Sequence, residues 1–195
     1  MDIKFPSIGI SLLAGFLTFA GFAWSGEIQT ITLHGKALTL MGEKSQVGKT
    51  LPTVHLPDLG LNMIDLQSFK GKVTILSVVP SLDTPTCDKQ THILSEENKG
   101  LDKTVHLITV SRDLPFAQKR FCGAEGVESI ETLSAFRDIA GFTHAYGVAI
   151  LDSSLRGLTS RAVIILDESN KVIYSELVAE ITEEPNYENA LSALK

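Results

Sequence analysis

From Val73 to Val79 every residue except Thr74 and Ser77 is apolar, and most are β-branched or leucine. A run that is apolar on both faces fits a strand covered on both sides, the central strand of a sheet with helices packed over it. Pro80 follows, and without an N–H it cannot continue the ladder. Thr84-Pro85 then reads as a helix start, with Thr84 as N-cap and Pro85 at the first helical position. This helix runs to about Lys99 and stops at Gly100. Val105 to Ser111 is a second buried strand. Strand, helix and strand in this order predict a crossover unit with two parallel strands.

The remaining segments fit around that unit. Ile28–Leu33 and Lys36–Leu40 alternate apolar and polar residues about His34-Gly35, which predicts a β-hairpin. Val54–Leu59 and Asn62–Leu66 are weaker extended pieces broken by Gly60. A helical stretch runs from Phe116 to about Phe121, and the glycines after Cys122 make that cysteine a loop residue or a frayed helix end. Ser134 to Ile139 reads as a short helix, and Ala145 to Leu151 is apolar without a clear period. Ala162–Leu166 and Val172–Glu176 form a second hairpin around Asp167–Asn170, and Tyr187 to Leu194 is a last helix. These elements predict an α/β sandwich of thioredoxin type: a central mixed β-sheet flanked by helices, with an N-terminal β-hairpin.

With 195 residues, 44% hydrophobic and 21% charged, the chain suits one globular domain with a real core. A net charge of -6 argues against nucleic acid as a partner, because that footprint is basic, and points to small molecules or proteins. Two cysteines, Cys87 and Cys122, exclude a dense disulfide framework and a four-cysteine zinc site. No cofactor is expected: a copper or zinc carrier would need a closer Cys/His cluster than two distant cysteines and His34, His55, His92, His106 and His144 suggest, although spacing leaves a site assembled by folding open. Two thiols suffice for one redox pair.

The N-terminus stands apart from this domain. Ile8 to Trp24 is apolar except for Ser11 and Thr18, is preceded by Lys4, and ends in Ala23-Trp24-Ser25, with small residues at the two positions a signal peptidase reads. Asp2 weakens the positive start, and the run also approaches the length of a spanning helix. Three readings stand: a removed signal with Gly26 as the first residue of an exported, periplasmic protein, an uncleaved membrane anchor, or a retained cytoplasmic segment. In each, residues 1–25 lie outside the fold and residues 26–195 form the domain.

Cys87 falls in the first turn of the helix that begins after Thr84. Unpaired backbone N–H groups and the positive end of the helix dipole suit an anionic sulfur there, so Cys87 is a candidate nucleophile. The competing reading is a small core residue, because unpaired cysteine is among the most buried residue types.

Pro80, Thr84 and Cys87 match a Pro-x-x-x-Thr-x-x-Cys signature, and with it the chain resembles the peroxiredoxins. Asp113-Leu-Pro-Phe-Ala-Gln followed by Arg120-Phe-Cys-Gly-Ala-Glu-Gly resembles their bacterial thiol peroxidase subgroup. The likeness runs from about Gly26 to Lys195 and includes the first hairpin and Ala145-Tyr-Gly-Val-Ala. The resemblance implies a thioredoxin fold and reduction of hydrogen peroxide or organic hydroperoxides. It makes Cys87 the peroxidatic and Cys122 the resolving cysteine, joined in an intramolecular disulfide that thioredoxin or a thioredoxin-like donor reduces. It places Arg161 as the active-site arginine and implies a homodimer.

In that chemistry a thiolate attacks one peroxide oxygen while the other leaves with negative charge. Arg161 would supply a permanent positive charge and a planar fork of donors. The Thr84 hydroxyl would orient the sulfur or the peroxide, and Pro80 would shape and dry the pocket. Each has a plainer reading: Thr84 as an N-cap only, and Arg161 as a solvated residue at a strand edge. For Arg112, Arg120, Arg137 and Arg156 the plainer reading is kept.

Two other functions remain open from the residues. A disulfide oxidoreductase would normally carry Cys-x-x-Cys, absent here because Asp88-Lys89 follow Cys87. An exported binding domain would use a Cys87–Cys122 bond as a permanent staple.

Overall fold

The structure is a computed structural model, and it describes residues 28–100, 105–127, 129–137 and 141–194, the side chains of 98–100 excepted. The leader, residues 1–25, lies outside the described residues. Among the described residues no helix is long and apolar enough to cross a membrane.

Strands β1 (Ile28–Leu33) and β2 (Lys36–Met41) form the first hairpin. His34 and Gly35 both have positive φ, 50° and 74°, the conformation of a two-residue turn whose twist matches the flanking strands. The weaker extended pieces become a small antiparallel pair, β3 (His55–Pro57) and β4 (Met63–Asp65).

The core unit follows. β5 (Val73–Val78) leads into α1 (Pro85–Gly100), which leads to β6 (Val105–Ser111) and then α2 (Pro115–Glu125) and β7 (Glu131–Ser134). A short α3 (Phe142–Ala145) and β8 (Ala149–Ile150) return the chain to the first hairpin. β9 (Ala162–Leu166) and β10 (Val172–Leu177) make the second hairpin, and α4 (Tyr187–Ser192) closes the described chain.

The main sheet has the order β10-β9-β5-β6-β7. β5–β6 and β6–β7 are parallel, and β5–β9 and β9–β10 are antiparallel. The sheet is therefore mixed, and β5 is central, as its doubly apolar sequence requires. Its period of two divides the core. Leu76 and Val78 face one apolar cluster with Ile108, Val110, Ile164, Phe142 and Tyr146. Ile75 faces the other, with Leu107, Val163, Ile165, Leu94, Phe121 and Cys87. α1, α2 and α4 cover this second face, so Cys87 lies between the sheet and its helices.

Two sequence expectations are corrected. Ser134 ends a strand rather than opening a helix, because the Glu131–Ser134 segment pairs with Ile108–Ser111 of β6 and its Thr132 and Leu133 are buried in the sheet. Cys122 is neither in a loop nor at a frayed end. α2 continues through Gly123 to Glu125 and ends at Gly126, whose φ of 66° lets its N–H return to the Cys122 carbonyl.

Candidate active site

The site is built at the end of β5. Val79 extends the parallel ladder by donating to the Val110 carbonyl at 3.0 Å, and Pro80, which lacks an N–H, then ends it. The chain turns, with the Thr84 N–H on the Ser81 carbonyl at 3.1 Å. The Asp88 N–H reaches the Thr84 carbonyl at 2.9 Å, the first backbone bond of α1. Cys87 is thus in the first turn, fully buried, with its carbonyl accepting from the Thr91 hydroxyl at 2.8 Å.

Thr84 caps the helix with its backbone alone. Its hydroxyl donates to the Ser81 carbonyl at 3.1 Å rather than accepting from a first-turn N–H, because the tight Ser81–Thr84 turn presents that carbonyl to it. Pro80 is buried at the loop's start, and the carbonyl of its neighbour Val79 is held by the Thr159 hydroxyl at 2.6 Å.

Arg161 arrives from the other end of the chain. The antiparallel register pairs Val78 with Ala162, which brings Arg161 beside the end of β5. The residue is 2% exposed, so it is not the solvated edge arginine of the plainer reading. Its Nε donates to the Ile181 carbonyl at 3.0 Å, its Nη1 to Gln90 Oε1 at 2.7 Å and its Nη2 to Cys87 Sγ at 3.5 Å. None of these three acceptors is a carboxylate. A buried cation is costly unless it is hydrogen-bonded, and here one nitrogen is directed at the sulfur. Gln90, itself buried, is oriented in turn by donating to Ser77 Oγ at 2.8 Å.

Cys122 occupies the neighbouring helix. Both thiols are free. Cys122 is half-buried against the same apolar cluster as Cys87, with its sulfur 3.7 Å from Thr132 Oγ1 on β7. Burial pushes its pKa up, partly offset by the Thr132 hydroxyl. The surfaces of the two cysteine-bearing segments are tied by exposed pairs. Arg120 of α2 meets Asp83 of the loop at 3.2 Å. His92 of α1 lies 3.1 Å from Asp88 and 3.7 Å from Glu125 of α2. These last three side chains offer ligand atoms within 4.8 Å of one another, but all are partly exposed and already face each other.

The structure thus brings Pro80, Thr84, Cys87 and Arg161 to one place and sets Cys122 on the adjacent helix. Sequence reasoning missed Gln90, Ser77 and Thr159. Gln90 was within reach, since it lies one helical turn beyond Cys87. The others meet the site only through the sheet.

The redoxin family model matches residues 46–191. The thiol peroxidase of Mycobacterium tuberculosis (strain H37Rv) is 45% identical over 164 residues, 84% of this chain and 97% of that protein. The thiol peroxidase of Bacillus subtilis (strain 168) is 46% identical over 165 residues, 85% of this chain and 96% of that one. This chain is a peroxiredoxin of the thiol peroxidase group. Among solved structures, a peroxiredoxin-like protein from Aquifex aeolicus superposes with a TM-score of 0.79 at 38% identity, covering 86% of this chain and 96% of its own. The thioredoxin-like fold read from the elements is therefore that of the peroxiredoxins, and the protein is an oxidoreductase of peroxidase type. These relatives give no support to a binding domain with a structural staple.

Proposed function

We propose that this peroxiredoxin reduces hydrogen peroxide and organic hydroperoxides through a two-cysteine cycle, with Cys87 as the attacking thiol and Cys122 as the resolving one. The observation that carries this reading is the buried Arg161 guanidinium with Nη2 3.5 Å from Cys87 Sγ. The Cys87 thiolate attacks one peroxide oxygen, the O–O bond breaks, and the departing alkoxide or hydroxide takes a proton to leave as alcohol or water. Cys87 becomes a sulfenic acid. Arg161 stabilises the charge that develops on the leaving oxygen, from a site dry enough to strengthen that interaction. Pro80 and Thr84 wall the approach.

The sulfenic acid then condenses with the Cys122 thiol, forming the disulfide and releasing water. Bridging requires Cα atoms within about 7 Å. Cys87 is buried in the first turn of α1 and the Cys122 sulfur faces Thr132 of β7, so in this proposal both segments rearrange to meet and the cycle alternates a folded reduced state with a locally loosened oxidised one. Thioredoxin or a thioredoxin-like dithiol then reduces the bond. We extend the proposal to a homodimer and to export: residues 1–25 act as a signal that leaves Gly26 first, which places the enzyme in the periplasm with an exported thioredoxin-like donor. An uncleaved segment would instead anchor it to the membrane.

The test is peroxide consumption with a thioredoxin system. Cys87→Ser abolishes turnover, and Cys122→Ser accumulates one trapped sulfenic acid per chain after a single peroxide equivalent. Persistent turnover in Cys87→Ser would overturn the assignment. The mass of the protein recovered from cells decides whether cleavage before Gly26 occurs.

A further inference from the structure

We infer that Asp113 is a positioning residue for the peroxide step: its carboxylate fixes the Pro80–Thr84 loop to the end of β6 and so holds the mouth of the Cys87 site in shape. This rests on the assignment of Cys87 as the attacking thiol.

The need for such an anchor follows from Pro80. Once the ladder stops, the loop's backbone donors have no strand partner, yet the loop is not loose surface, since the Leu82 side chain is 1% exposed and packs in the cluster that contains Cys87. Buried donors must be satisfied. Asp113 does this with both oxygens. Oδ1 accepts from the Ser81 hydroxyl at 2.7 Å, and Oδ2 accepts from the Leu82 N–H at 2.7 Å. These are charge-assisted bonds, shorter and stronger than neutral ones.

The other side of Asp113 is held by elements that need not move with the loop. Its Oδ2 also accepts from the Ser111 hydroxyl at 2.8 Å, and its N–H donates to Ser111 Oγ at 3.2 Å. Ser111 Oγ in turn accepts from Gln118 Nε2 of α2 at 3.0 Å, and that buried amide also donates to the Leu133 carbonyl of β7 at 3.0 Å. The Asp113 carbonyl accepts from the Ser134 hydroxyl at 2.5 Å. Asp113 is therefore pinned to β6, α2 and β7, while its carboxylate carries the loop that walls Cys87.

A residue that only stabilised the fold would lower the unfolding midpoint and leave the chemistry of the folded enzyme alone. A positioning residue separates two reactivities of the same sulfur. When the loop loosens, peroxide attack slows because the near-attack geometry is lost. Alkylation by iodoacetamide, which needs access rather than orientation, speeds up. The experiment measures both rates for Cys87 in the reduced full chain carrying Cys122→Ser, at a temperature where each variant is folded by circular dichroism. Asp113→Asn, which turns an acceptor into a donor facing Ser81 or Leu82, is expected to slow peroxide oxidation about tenfold or more and to raise the alkylation rate. Ser81→Ala removes one loop bond and leaves the β6–α2–β7 side intact, so it should move both rates in the same directions by a smaller factor without a loss of folding. Peroxide rates within twofold of the parent in both variants would overturn the inference. A parent chain whose Cys87 reacts with peroxide no faster than free cysteine would instead overturn the peroxidatic assignment on which it rests.

Discussion

Arg161 Nη2 lies 3.5 Å from the sulfur of Cys87 although 74 positions separate the two in the chain. The contact exists because β9 runs antiparallel to β5 and because Gln90, at 2.7 Å, and the Ile181 carbonyl, at 3.0 Å, hold the other guanidinium nitrogens. Lysine keeps the charge and loses the fork. Arg161→Lys should therefore lower kcat/KM for peroxide by about 100-fold, the cost of one preorganised donor, while Gln90→Leu, which strands Nη1 and Ser77 Oγ, should destabilise the fold by about 1–3 kcal/mol. Single-turnover oxidation rates and urea unfolding check the two.

Glu180 makes one contribution to acid sensitivity. Its carboxylate accepts from the N–H groups of His34 and Gly35 in the β1–β2 turn and from the hydroxyls of Thr32 and Thr182. The Gly35 N–H leads in pulling its pKa down to about 2. Folded, this acid is stronger than in the unfolded chain, so its contribution to stability is present above about 4.5 and is lost as pH falls toward about 2. Urea midpoints of the parent and of Glu180→Gln should differ at pH 6, approach each other through pH 4 and 3, and meet near pH 2. A constant difference across that range would contradict the linkage.

Cys122 titrates in the opposite sense. Burial holds its pKa above the ordinary thiol value, so it stays protonated in the folded reduced enzyme at neutral pH, and any stability from burying the neutral thiol persists at low pH and fades as pH rises through the folded value. In Cys87→Ser, the pH profile of alkylation at Cys122 should have its midpoint above that of the same chain in 8 M urea. Coincident profiles would show that burial does not act on this thiol.

The exposed pairs Arg120–Asp83 and His92–Glu125 join segments that the proposed disulfide must rearrange. Exposed pairs contribute about 0–1 kcal/mol. Arg120→Ala and Glu125→Gln should therefore speed closure of the Cys87–Cys122 bond by up to about fivefold at low salt, and the advantage should shrink near 1 M salt, where the screening length is about 3 Å. Stopped-flow tryptophan-independent readouts, such as loss of the sulfenic acid, follow this step directly.

What could be read in advance divides by the range of the forces involved. β5 was legible because both of its faces are apolar, and the start of α1 because Pro80 and Pro85 act on their own backbone. Ser134 was misplaced because its strand exists only through pairing with β6. The helical place of Cys122 was missed because Gly123 is a weak local breaker that tertiary packing overrides.

The sequence alone determined the residues Pro80, Thr84 and Cys87 at their spacing, the two-thiol inventory, the β5–α1–β6 unit and the two hairpins, features written in local propensity and spacing. Only the tertiary structure decided that Arg161 is buried against the sulfur, that the Thr84 hydroxyl turns back to Ser81, and that Asp113 holds the loop. Each of those depends on sheet register and burial. These bring donors and acceptors from distant segments within about 3 Å, and no pattern along the chain specifies them.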